Sequence, residues 1–160
     1  MNYWWLIALG AGVILLALPK RLDEATEDHP TDDPPATPIP TFPPELIAFA
    51  QAIASAEGFW SQGTIPNRAH NPGDLKLSGY PSIGNGISVF DDDDQGWAAL
   101  YNQLLRIAQY RSSHYEPTMT IAQMARVWVG DSEGAKHWGN NVADSLGANL
   151  TDPIGNWLRG

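Results

Sequence analysis

Glu57 is the residue around which chemistry can be organised. It falls in Ala54-Ser55-Ala56-Glu57-Gly58-Phe59-Trp60, at the end of an apolar stretch in which Leu46, Phe49, Ile53 and Ala56 recur at helical spacing. Small residues precede it and aromatic residues follow. Desolvation by Phe59 or Trp60 raises a carboxyl pKa and keeps a proton ready for a leaving oxygen, such as that of a glycosidic bond. The bland reading is a last-turn glutamate pointing at solvent, a position slightly disfavoured by the helix dipole. A glycosidase that inverts needs a second carboxylate about 6.5–9.5 Å away, and one that retains needs it about 5–5.5 Å away. Asp74 and the run Asp91 to Asp94 are the candidates, and sequence carries no distances.

The other residue types narrow the chemistry. There is no cysteine, so disulfides and thiolate metal sites are excluded. His29, His70, His114 and His137 show no ligand spacing. Asp91, Asp93, Gln95 and Gly96 echo the first half of a calcium loop, but Asn102 stands where the bidentate glutamate belongs. Acids before a helix N-terminus account for that run better. No metal and no cofactor is therefore expected. Trp60, Trp128 and Trp138 are candidates for stacking on sugar faces, although Trp97 and Trp128 sit among Leu, Ala and Val at helical spacing and suit core packing.

Glu57-Gly58-Phe59, followed by Gly63-Thr-Ile-Pro-Asn-Arg-Ala-His-Asn-Pro-Gly-Asp-Leu75, resembles the signature of phage and prophage lysozyme-like muramidase or lytic-transglycosylase domains. Val89-Phe90, the Gly96 to Leu100 stretch and Thr120-Ile121 with Trp128 are similar to that family's downstream pattern. The likeness spans about residues 45–150. It implies a lysozyme-superfamily fold, with Glu57 as acid/base at a helix end beside a small β region lining a sugar cleft. It places Arg68, Asn71, Gly73 and Asp74 on the loop that shapes the cleft or contacts the glycan, and Trp60 and Trp128 join them as expected substrate contacts. His70 stands where the family often has Asn, which argues against a catalytic role for it. Asn71-Pro72-Gly73 is also a good turn sequence that folding alone can require. An Arg68 pair with Glu57 would lower the pKa of the acid and oppose its role.

The implied activity is cleavage of the MurNAc-β-1,4-GlcNAc bonds of peptidoglycan, for wall penetration or lysis. One well-matched glutamate suits a lytic transglycosylase, in which the 6-hydroxyl of muramic acid attacks and leaves a 1,6-anhydro end. A hydrolytic muramidase, a chitinase-like hydrolase, and a non-catalytic virion structural or glycan-binding protein of the same fold are the alternatives.

The elements that must position these residues are mostly helical. Pro44 opens a helix that ends near Gly58. A Gly/Pro/Asn-rich stretch follows, with strand candidates at Leu75–Leu77 and Ile87–Phe90 and a turn at Gly84-Asn85-Gly86. Further helices are expected over Gln95–Arg111, over Ile121–Val129 with Thr120 as N-cap, and over Asn140–Leu146 before Gly147. Asn140-Asn141 reads as the start of that last helix rather than as an acetamide-binding pair. The fold class is mainly α, of α+β lysozyme-like type, with a small β region after the first helix.

Residues 45–160 form the expected catalytic domain. Before it, residues 22–44 hold seven prolines and six acids with no base, a composition that reads as an extended, disordered linker. Residues 1–21 contain the uncharged run Tyr3 to Leu18, which spans roughly 24 Å as a helix. With Trp4-Trp5 at one end and Lys20-Arg21 at the other it reads as a single transmembrane anchor rather than a cleaved signal. The basic pair favours a cytoplasmic domain, the wrong side for wall cleavage. A virus with an internal membrane or a regulated lysis protein escapes that conflict. The expectation is a single-pass protein of a virion membrane or bacterial envelope, with peptidoglycan strands and other virion or lysis proteins as partners. The net charge of −9 argues against a nucleic-acid partner.

Overall fold

The computed structural model describes residues 42–159, within one compact unit, Ile39–Gly160. The expected anchor at 1–21 and nearly all of the expected linker at 22–44 lie outside the described residues. Among the described residues, no helix is long and apolar enough to cross a membrane.

Pro44 starts α1 (Pro44–Ala56), where the missing N–H is no loss and φ is already helical. Leu46, Phe49, Ala50 and Ile53 form its buried stripe. The helix stops in a Schellman turn. Gly58, at φ +76°, donates to the Ser55 carbonyl, and Phe59 donates to the Ala54 carbonyl. Glu57 is thereby held at the C-cap, still helical in backbone.

The next segment contains α2 (Ile65–Arg68), capped by Thr64, whose hydroxyl also donates to the Gly58 and Ser61 carbonyls. The loop from His70 to Leu77 then leads to an antiparallel hairpin of β1 (Ser82–Ile83) and β2 (Ile87–Ser88). The turn falls at Gly84-Asn85-Gly86 as its residues predict. The expected strand at Leu75–Leu77 does not form, because side chains occupy its backbone groups. Asn71 binds both backbone groups of Leu75, and the Ser88 hydroxyl binds both backbone groups of Leu77. The segment therefore runs beside β2 with one backbone bond, from the Ser88 N–H to the Leu75 carbonyl, and no further ladder.

Four more helices follow. Asp92 caps α3 (Asp93–Ala108) through the Gln95 N–H, two residues earlier than the sequence suggests, and Asp93 pairs with His70 at 2.6 Å. These contacts account for two of the four consecutive acids. Thr120 and Gln123 form a full capping box on α4 (Ile121–Val129), with the expected bounds. α5 (Ser132–Leu146) begins eight residues before the expected Asn140, so Asn140 and Asn141 lie inside it. Asp131 caps it through Gly134, and the two glycines that discourage a helical reading are tolerated for packing. A Cβ on Gly139 would press on Leu150 at 3.2 Å. The short α6 (Gly155–Leu158) had no clear sequence signal.

The described residues are thus mainly helical, with one two-stranded sheet. α1 packs against α3, α5 and α6, and α5 packs against α4. Phe49, Ile53, Leu100, Leu104, Ile107, Ile121, Met124 and Val142 fill the shared core. After α5 the chain returns along the start of α4, where Ile154 donates to Met119 and Ala122 donates to Leu150. That return fixes α4 and α5 as a pair across the end of α1.

Candidate active site

The pairing of α4 with α5 brings two indoles onto the end of α1. Trp128, in the last turn of α4, and Trp138, midway along α5, stack with centroids 5.8 Å apart. Both ring N–H groups donate to Glu57 Oε1, at 2.7 and 2.8 Å. Tyr115 leans on the outer side of Trp128 at 5.6 Å. Glu57 Oε2 takes no hydrogen bond among the described residues and is not among their buried unpartnered atoms, and Glu57 lines a cavity of about 240 Å³.

Burial raises the Glu57 carboxyl from the ordinary 4.5 to about 7, with the nearby charge of Asp74 adding to the rise. The two indole donors pull the other way, Trp138 more than Trp128, because an N–H donor favours the carboxylate. Desolvation wins. The acid is held on one oxygen and free of hydrogen bonds from the described residues on the other, and it keeps its proton to near-neutral pH.

Asp74 shares the cavity wall with Glu57, Lys76, Ile87 and Trp128. Its backbone is left-handed, at φ +49°, a conformation that Asp and Asn tolerate better than most residues. Its Oδ1 is buried with no hydrogen-bond partner, and burial raises its pKa while Lys76 opposes the rise.

The loop carrying Asp74 is built around Asn71. That side chain is fully buried, donates to the Leu75 and Ser88 carbonyls, and accepts from the Leu75 N–H, each at 2.9 Å. With no surface and no free group, Asn71 does not contact a glycan in this arrangement. The expectation of a substrate contact there is replaced by a structural role. Gly73 is tightly packed, since a Cβ there would lie 2.8 Å from Leu100, and it also lines a cavity of about 500 Å³ beside Asp74. Arg68 is exposed, lines neither of the cavities beside Glu57, and makes no ion pair among the described residues. The partners of Glu57 are indoles, so the Arg68 pairing weighed from sequence does not occur. Trp60 is 61% exposed, set against Phe59 and Trp97 and off the cavity wall.

The fold therefore brings together Glu57, Asp74 and Trp128 from the expected set, and leaves Arg68 and Trp60 apart. It adds Trp138 and Lys76. Trp138 was visible only as a possible stacking residue, since its bond to Glu57 joins positions 81 apart in the chain. Lys76 lies two residues beyond Asp74 on the motif loop, and that proximity was its one available signal.

Another cavity of about 560 Å³ lies between α4 and α5, lined by Ala122, Arg126, Ala135 and Lys136 among others. Its one acid, Asp131, is engaged in capping α5. Among the described residues no group of three His, Asp or Glu side chains gathers as a metal site. Comparison of the chain with protein-family models, with curated proteins and with solved structures found no match.

Proposed function

We propose that residues 45–160 are a lysozyme-like glycosidase domain that cuts MurNAc-β-1,4-GlcNAc bonds in peptidoglycan as a lytic transglycosylase. The observation that carries this reading is the Glu57 carboxyl, raised to about 7, fixed by two indoles through Oε1, with Oε2 free of hydrogen bonds among the described residues and a cavity beside it. A general acid needs this combination of retained proton and fixed geometry.

In this mechanism Oε2 delivers its proton to the glycosidic oxygen as the bond from that oxygen to C1 of MurNAc breaks. The 6-hydroxyl of the same sugar then attacks C1 and returns a proton to the Glu57 carboxylate, closing a 1,6-anhydro ring. No cofactor is required. A second reading, hydrolysis, draws on Asp74, a second carboxyl in the same cavity and a candidate to orient a water. The resemblance to phage and prophage enzymes, together with the N-terminal sequence, supports a role in breaching the wall from a membrane-tethered position.

Zymography on purified peptidoglycan tests the proposal. Wild-type protein should clear the wall, and Glu57→Gln should reduce clearing by roughly 10²–10⁴-fold, as loss of a general acid does. Mass spectrometry of released muropeptides should show anhydro ends, whereas reducing ends favour hydrolysis. No clearing by wild type supports the non-catalytic glycan-binding alternative, and equal clearing by both proteins overturns Glu57 as the acid.

A further inference from the structure

The cavity holding Glu57 shares part of its lining with a second cavity. Asp74, Lys76, Trp128 and Val129 line it, and the same four residues line a larger cavity of about 500 Å³. Those four shared residues make the two cavities neighbours. The larger arm continues to Arg106 on α3 and to Ser112 and His114 in the loop before α4.

Its charge runs against the rest of the domain. Residues 45–160 carry twelve acids and seven bases, yet this arm is lined by two permanent cations, Lys76 and Arg106, and one acid, Asp74. Neither cation makes an ion pair among the described residues. The arm also receives the C-terminal turn of α4, where the Trp128 and Val129 carbonyls lack hydrogen-bond partners among the described residues. Cations beside open carbonyls suit a ligand that offers both carboxylates and N–H groups, as a peptide does.

We propose that this arm binds the acidic peptide borne by MurNAc, so that peptide-bearing strands are the preferred substrate. The inference rests on the glycosidase reading of Glu57. In peptidoglycan the peptide hangs from the lactyl ether of the sugar whose C1 is attacked, so it lies beside the reacting bond. A binding arm for it has to adjoin the acid, as this one does. Bare amino-sugar polymers carry nothing to fill the arm.

The experiment compares kcat/KM for the full-length protein on intact peptidoglycan, on strands stripped of peptide by an amidase, and on wall stripped of phosphate polymers by hydrofluoric acid. Wild type should favour intact over amidase-stripped strands about tenfold, the scale of one charge-assisted contact. Hydrofluoric acid treatment should leave the rate unchanged, which assigns the anion to the peptide. Arg106→Gln should bring the intact-to-stripped ratio to about one, and Arg106→Lys should retain most of it. Added salt should shrink the ratio, since Arg106 is exposed. Equal wild-type rates on intact and stripped strands overturn the inference and leave Glu57 as the acid. A ratio that survives in Arg106→Gln, or a loss of rate after hydrofluoric acid alone, overturns the assignment of this arm to peptide. Cleavage of no substrate overturns the glycosidase reading beneath it.

Discussion

At the scale of single residues, the protonation of Glu57 couples activity to stability. Its pKa is raised from 4.5 to about 7 on folding, so the folded state binds that proton more tightly than the unfolded chain. The associated stability is fully present below pH 4.5 and is lost as pH rises through about 7. A shift of this size corresponds to about 3 kcal/mol. Glu57→Gln keeps an acceptor for the indoles and removes the charge. It should unfold at a higher temperature than wild type at pH 8 and at nearly the same temperature at pH 4, read by thermal melts across pH. Activity should fall as pH rises through about 7, because the acid loses its proton. Two substitutions should move that limb in opposite directions. Trp138→Phe removes a donor that favours the carboxylate and should carry the limb to higher pH. Asp74→Asn removes a neighbouring negative charge while tolerating the same backbone, and should carry it lower. Measured pH–rate profiles that move together would contradict this account of the site.

At the scale of elements, the loop bearing Asp74 depends on one buried amide. Asn71 supplies three hydrogen bonds that stand in for a strand ladder between the loop and β2. Asn71→Ala leaves the Leu75 N–H and two carbonyls without those partners, and should cost about 3 kcal/mol in urea unfolding. Activity should fall with it, since Asp74 and Lys76 lose their frame. The helices show how much local sequence decides. Thr120 with Gln123, Asp92 and Asp131 each bond an N–H within three residues, so the cap of α4 could be read from residue type and the start of α3 to within two residues. The start of α5 could not, because Gly134 and Gly139 weaken its local helical signal and only contact with its neighbours restores it.

At the scale of the whole described unit, α1 is the shared wall of the core and the carrier of the acid. Phe49 is fully buried and stacks near Trp157 at 5.9 Å, while α1 meets α3, α5 and α6. Phe49→Ala should cost roughly 3–5 kcal/mol and should lower the far-UV circular dichroism and tryptophan fluorescence transitions by the same amount. Separate shifts of the two signals would show that the helices do not unfold as one core.

The sequence by itself determined the position of Glu57 at a helix end, the helical class, the hairpin turn and the loop that carries Asp74. Those features follow from contacts within a few residues: a proline at a first turn, a glycine able to turn left-handed, a hydroxyl or carboxylate facing a nearby N–H. Only the tertiary structure decided what surrounds the carboxyl. Trp128 and Trp138 reach Glu57 across 71 and 81 residues because α4 and α5 pack together over the end of α1. The same packing buried Asn71, left Arg68 and Trp60 off the cavity, and set Lys76 and Arg106 along the neighbouring one. A residue's type states which bonds it can form, but burial sets its pKa and partner, and burial is a property of the assembled core.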